Sequence, residues 1–246
     1  MKTPSLAIRQ IGDPVLQVPP PQADVSQTAT LMTYLAVLQK EQQQNGGIGI
    51  ACNQCVAIDE PVAVVLLGTD DPATRAAAAL RYPGETIPTA TLMINPQILR
   101  YGEETYYPAH GEGCLSVAGP LRGKVKRHRR VRVRYQTLEG ATLERDSDGM
   151  EAHIIQHECD HLQGIVYLQR IFADCSGAQK TEIIRLLGEE AAYRQCEDSA
   201  VRAKAVEPLL VFERDGDAVV FDPARLLQAL AAMPDDTLDG IRAALE

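Results

Sequence analysis

His157-Glu158-Cys159-Asp160-His161 puts two imidazoles four residues apart, with a carboxylate directly after the first. On a helix, residues four apart stack on one face, so both rings can point at one metal ion. Glu158 then falls beside that ion. A divalent metal acidifies a bound water, and a neighbouring carboxylate can take the proton and hand it to a leaving group. Five-residue patterns also arise by chance, and paired histidines are common on helix surfaces. The flanks argue against a surface helix: Ala152, Ile154 and Ile155 precede the pattern, and Leu162, Ile165 and Val166 follow it. The rings would therefore sit against a core. Gly164 fits a C-terminal stop. Two imidazoles still leave a tetrahedral site short of a ligand.

His110-Gly111-Glu112-Gly113-Cys114-Leu115-Ser116-Val117 offers that ligand. A thiolate suits a borderline metal, and one Cys with two His completes three protein ligands and leaves a fourth position open. Taken alone, the octapeptide reads equally well as an isolated buried cysteine. Gly47-Ile48-Gly49-Ile50-Ala51-Cys52-Asn53-Gln54 has two glycines that let a backbone lie close to a ligand or another strand. It is not a dinucleotide fingerprint, because the third glycine is missing. Cys52 and Cys55 form a Cys-x-x-Cys with no second pair nearby, so they read as small buried apolar residues.

The elements that must position these residues follow from length and pattern. A chain of 246 residues, 45% hydrophobic and 23% charged, can bury a sizeable core as one domain, with or without an appendage. Met1 to Ile11 contains no apolar stretch of the kind a secretion signal needs, and no apolar run is long enough to span a bilayer. Six cysteines in such a chain read as thiols or ligands, so a reducing cytoplasm is the expectation. Net charge is −9, and from Phe172 onward 8 Lys and Arg face 15 Asp and Glu. The last third is thus a distinct acidic segment, which sets the expected boundary between 1–171 and 172–246.

Helical spacing is expected over 29–44, ended by Asn45-Gly46-Gly47. Val62 to Leu67 reads as a buried strand, and 70–88 as an exposed insertion, irregular or weakly helical around Ala76 to Ala79. Thr91 to Ile94 reads as a strand stopped by Asn95-Pro96. Leu121 to Tyr135 carries eight basic residues alternating with Val125, Val131 and Val133, which argues for strands with one wet face. That face is either simply solvated or a contact for an anionic partner such as RNA. A hairpin turning at Glu139-Gly140 leads into the metal-motif helix.

Three separated stretches resemble one family, the peptide deformylases. Gly47 to Gln54 is similar to the family's Gly-x-Gly-apolar-Ala-Ala-x-Gln. Glu112-Gly113-Cys114-Leu115-Ser116 matches its Glu-Gly-Cys-Leu-Ser, and Gln156 to Leu162 its Gln-His-Glu-x-Asp-His-Leu. Gly12 to Leu16 and Ile94-Asn95-Pro96 resemble family segments too, so the likeness covers roughly residues 5 to 171. The resemblance implies an α+β fold with antiparallel strands around a central helix that carries His157 and His161. It implies one divalent ion per chain, held by Cys114, His157 and His161. Fe(II) is the expected ion, with nickel, cobalt or zinc able to replace it. The implied reaction removes the formyl group from formyl-methionine at the start of nascent bacterial polypeptides and releases formate. Glu158 would shuttle the proton, while the Gln54 amide and the Leu115 N–H would stabilise the oxyanion. Ile48, Gly49 and Gly113 would hold the peptide as an added strand. Ile48 and Ile154 would line the methionine pocket, with His110 and His153 near its rim. The ribosome is a further expected partner, through the basic 122–134 stretch, and a monomer is the expected state.

The departures are few. Cys52 stands where the family has a second alanine, and Ala118 stands at a loop position where many members carry proline. The tail from Phe172 to Glu246 is much longer than many members need. Thr181 to Tyr193 reads as an amphipathic helix, Leu209 to Phe221 as a hairpin turning at Asp215-Gly216, and 223–233 and 238–245 as two short helices. Three rival functions carry over: a zincin-type protease, which leaves Cys114 and Gln54 unexplained; a relative acting on another N-acyl peptide; and a non-catalytic binder of ribosome or protein.

Overall fold

The computed structural model describes residues 8–108, 111–117, 121–172 and 175–188, and the backbone of 210–214 and 217–220. Helix α1 (Thr28–Asn45) leads to strands β1 (Gly49–Ala51) and β2 (Val64–Leu67), helix α2 (Pro72–Arg81), and strands β3 (Thr91–Tyr101) and β4 (Thr105–Tyr106). Strands β5 (Leu121–Gly123), β6 (Arg127–His128), β7 (Arg130–Gln136) and β8 (Thr142–Asp148) follow. Helices α3 (Gly149–His161), α4 (Tyr167–Ile171) and α5 (Gly177–Leu187) come next, then strands β9 (Leu210–Arg214) and β10 (Asp217–Val220). The strands form a five-stranded sheet in the order β1-β2-β3-β7-β8, a three-stranded sheet β10-β9-β5 and a two-stranded pair β4-β6. The pairings within these sheets are antiparallel.

Strand period and helix burial explain how the layers stack. Side chains alternate along β2, and all four are buried because both faces are covered. Val65 and Leu67 pack toward α3 with Met93, Val131 and Ile155, whereas Val64 and Leu66 pack toward α1 with Leu31 and Leu38. The central helix α3 is buried all round: every residue from Ala152 to His161 is inside. A helix with no wet face must neutralise its own polar groups. That requirement builds the site.

Two expectations are corrected. The 70–88 stretch carries a capped ten-residue helix: Asp71 accepts from the Thr74 N–H, Pro72 opens the first turn, and Ala78 is buried in the core. The alanine run supplies the propensity. Strand β3 does not stop at Asn95-Pro96 but continues to Tyr101 across a register shift between Ile94 and Gln97. Asn95 takes a left-handed φ of 52°, and its side chain is held by both backbone groups of Ala23 and by Gln136. Pro96 thus falls in a bulge, where it spoils no ladder bond.

The hairpin expected over Leu209 to Phe221 is present as β9 and β10. The helix expected at Thr181 to Tyr193 begins earlier, at Gly177, and is described to Leu187. Its Ile183 and Leu187 share one apolar cluster with Phe172, Tyr167, Val166 and Val117. The two short helices expected beyond Pro223 lie outside the described residues, as do His110 and Ala118. No helix among the described residues is long and apolar enough to cross a membrane.

Candidate metal centre

Helix α3 positions the two imidazoles, and the 111–117 loop brings the thiol to them. The ligand atoms of Cys114, His157 and His161 lie within 4.8 Å of one another. Ligands on a tetrahedral ion, each about 2.0–2.3 Å from it, stand at such separations, so the three residues fit a divalent metal. Cys114 Sγ sits 3.1 Å from His161 Nε2 and accepts from the Ser116 N–H at 3.4 Å. Burial would raise this thiol, but His161 and His157 outweigh it and bring the pKa down to about 5. The two imidazoles thus favour the thiolate, the form that can bind a metal.

Behind the ligands lies a chain of buried ions. His157 Nδ1 meets Glu112 Oε1 at 2.5 Å, which leaves Nε2 for the site. Arg127 grips the same carboxylate with two N–H groups, at 2.6 and 3.0 Å, and reaches Asp160 at 2.7 Å. Arg170 closes the chain on the other oxygen of Asp160 at 2.5 Å. His153 Nε2 stands 3.2 Å from Glu112. Burial alone would raise both carboxyls, yet Arg127 holds Glu112 well below the usual range, and Arg127 with Arg170 lowers Asp160. Both are anions although only a few per cent of either side chain is exposed.

Glu158 is the opposite case. It is buried, one of its oxygens has no hydrogen-bond partner among the described residues, and burial pushes its pKa to about 7. A carboxyl poised near neutrality suits proton transfer. It lies against Gly49: a Cβ there would overlap the Glu158 carboxylate and Ile154. Gln54 anchors its oxygen on the Ala51 N–H and turns its Nε2 toward Ser116 Oγ at 3.1 Å and Cys114 Sγ at 3.5 Å. Asn53 holds the His161 carbonyl at 2.8 Å.

The residues singled out from sequence thus fall into connected groups. Cys114, His157 and His161 converge, Gln54 reaches the cysteine, and Gly49, Glu158 and Ile154 touch. Ile48 shares the α3 core cluster with Ile154. Leu115 borders Gly47, and Gly113 lies so close to Arg122 that a Cβ would come within 2.7 Å of its guanidinium. The sequence reading gave no role to Glu112, Asp160 or Arg170, and it read Arg127 as part of a basic face for an anionic partner or a substrate carboxylate, whereas the structure buries it between Glu112 and Asp160. One signal was available for Arg127: it follows Gly123 and Val125 at period two, and all three face inward.

Comparison with known proteins follows the same residues. The model of the polypeptide deformylase family matches residues 5–175. Peptide deformylase 1 of Nitrosomonas europaea is 34% identical over 165 residues, which is 67% of this chain and 86% of that protein. The class I type b peptide deformylase of Acinetobacter baumannii bound to Met-Ala-Ser superposes with a TM-score of 0.58 at 30% identity, over 67% of this chain and 96% of the other. A peptide deformylase of Synechococcus elongatus in complex with actinonin, 24% identical, shares the fold with a TM-score of 0.57 over 76% of this chain and 88% of its own.

Proposed function

The chain belongs to the polypeptide deformylase family, and from that premise we propose which of its residues carry the reaction. It is a metal-dependent hydrolase that removes the N-terminal formyl group of nascent peptides and releases formate. Cys114, His157 and His161 hold the ion, and the meeting of their ligand atoms within 4.8 Å is the observation that carries the assignment. When bound, the ion supplies Lewis acidity to water and to the formyl carbonyl. Glu158 accepts a proton from water and returns it to the leaving amine, a role supported by its burial and a pKa of about 7. The Gln54 amide and the Leu115 N–H donate to the developing oxyanion. Ile48, Gly49 and Gly113 seat the peptide backbone, and Ile154 and Ile48 line the side-chain pocket.

We take Fe(II) as the working metal, since one thiolate with two imidazoles suits a borderline ion; nickel, cobalt and zinc fit the same ligands. We place the protein in the cytoplasm as a monomer, acting where nascent chains emerge. The basic 122–134 stretch faces the ribosome with less charge than its composition implies. Arg129, Arg130 and Arg132 stand opposite Glu104, Asp148, Glu144 and Asp146. Arg127 is buried, and Lys124 and Lys126 have no carboxylate partner among the described residues. The acidic segment after Phe172 forms a structural addition to the catalytic unit.

The test is formate release from a formyl-methionyl peptide by protein purified without oxygen and loaded with Fe(II) or Ni(II). Metal-dependent release that disappears in Glu158→Gln, with metal retained, is the expected result. A chain that binds one metal and cleaves only other N-acyl peptides would transfer the assignment to the acyl-preference rival. Metal binding with no cleavage of any acyl peptide would leave only the binding role.

A further inference from the structure

Among the described residues, strand β9 of the acidic tail pairs with strand β5. Antiparallel pairing puts Leu121 opposite Phe212, Arg122 opposite Val211 and Gly123 opposite Leu210. The other edge of β5 faces the metal loop. Gly123 exchanges both backbone hydrogen bonds with Glu112, at 2.6 and 2.9 Å. The Arg122 side chain makes a second tie from the same strand, donating to the Gly111 carbonyl at 3.0 Å and to the Tyr82 hydroxyl at 2.7 Å. Its guanidinium also abuts Gly113. Beneath β5, Gly123 leaves room for Ile171 and Tyr167 of α4. Two residues of β5, Arg122 and Gly123, therefore hold Gly111, Glu112 and Gly113, and these lead directly to Cys114.

We propose that the hairpin formed by β9 and β10 is a positioning element for the metal centre, clamping β5 and through it the loop that carries Glu112 and Cys114. A three-residue strand bonded on one side to a single residue is a weak support, and an open edge frays. Pairing on the second side closes that edge. The hairpin thus reaches His157 through Glu112 without touching substrate. The kinetic part of the test rests on the deformylase reading; the exchange part does not.

The ladder geometry supplies a specific pair of variants. Backbone groups of neighbouring strand residues point to opposite sides. Gly123 spends its pair on Glu112, so Arg122 directs its N–H and C=O at Val211, and Val211 returns its own. Val220, which lies opposite Val211 on β10, must then point its N–H away from β9. Val211→Pro removes a donor to β5 and none within the hairpin; Val220→Pro removes an outward donor only. The measurement is amide exchange of Glu112, Arg122 and Gly123 in the full metal-free chain, with Ni(II) release and formate kinetics alongside. Val211→Pro should speed exchange at these three amides and Ni(II) loss by about tenfold each. It should also raise KM for a formyl-methionyl peptide more than it lowers kcat, because Gly113 loosens first. Val220→Pro and Val211→Ala should stay near the parent. Unchanged exchange and metal release in Val211→Pro would overturn the proposal. So would equal effects of Val220→Pro, which would mean the hairpin acts by its own folding and not through β5. If the chain releases no formate, exchange and metal release decide alone.

Discussion

Arg132 on strand β7 reaches Glu144 at 3.2 Å and Asp146 at 3.0 Å, with 39% of its side chain exposed. Arg127, on the short strand before it, reaches Glu112 at 2.6 Å and Asp160 at 2.7 Å, with 4% exposed. The residue types are the same and each arginine bridges two carboxylates. The surface ladder lies in water, which screens both partners and leaves a small net gain. The buried set has no water to fall back on. Its value lies in what removal of Arg127 would leave behind: Glu112 inside the protein without its guanidinium, and Asp160 with Arg170 alone. The second set also touches the candidate site, because Glu112 orients His157, one of the three residues proposed to hold the metal. Burial turns an ordinary ion pair into part of a metal centre.

The contrast is broken most directly by Arg127→Met. The thioether chain fills similar space, takes both arginine bonds from the buried Glu112 and leaves Asp160 with Arg170 alone, so stability should fall by about 3–5 kcal/mol. Urea unfolding of the metal-free protein measures this, and a loss under about 1 kcal/mol would mean the two regions do not differ as argued. Glu112→Gln keeps the shape and removes the charge. Metal affinity should fall by about 10–100-fold, as competition with a chelator would report, because His157 loses the anionic acceptor that orients it. Retained affinity would detach the buried network from the site.

These two predictions concern the part of the molecule that was hardest to read. The meeting of Cys114, His157 and His161 was legible because metal chemistry forces fixed residue types at fixed spacing: two histidines one helical turn apart, and a cysteine directly after Gly111-Glu112-Gly113. The central helix was legible from its apolar flanks. The network was not, because a charged residue carries no mark of burial in one sequence. Arg127 stands among basic residues that do face water, and Asp160 looks like any helix carboxylate until the helix proves to have no outer face. The bulge at Asn95 was hidden for a related reason. Asn-Pro is a local stop, and only the tertiary bonds of Asn95 to Ala23 and Gln136 carry the strand past it. In 70–88, the capping signal at Asp71-Pro72 was present but was outweighed by the expectation of an insertion.

Arg170 sharpens the comparison from within the buried set. It binds Asp160 as closely as Arg127 does, but 35% of its side chain is exposed. Arg170→Ala leaves Asp160 its other partner and admits water, so the loss should be about 1–2 kcal/mol, between the two extremes. A loss equal to that of Arg127→Met would show that the closing contact, and not burial, sets the scale. At the surface, Arg132→Ala should cost about 0.2–1 kcal/mol and less in high salt. An effect of several kcal/mol, insensitive to salt, would place the ladder with the core.

The smallest effect is one of pH. The Arg130 hydrogen bond holds the Asp148 carboxyl below its ordinary 3.8. A carboxyl lowered in the folded state contributes stability above its unfolded pKa, and that contribution is lost as pH falls through the folded value. The stability gap between the parent and Arg130→Ala should therefore be equal at pH 7 and pH 5 and should close as the pH falls below 3.8. Denaturant titrations across this range test it. A gap that already narrows between pH 7 and pH 5 would mean Arg130 is paired with a group other than Asp148, because no carboxyl held below 3.8 takes up protons in that range.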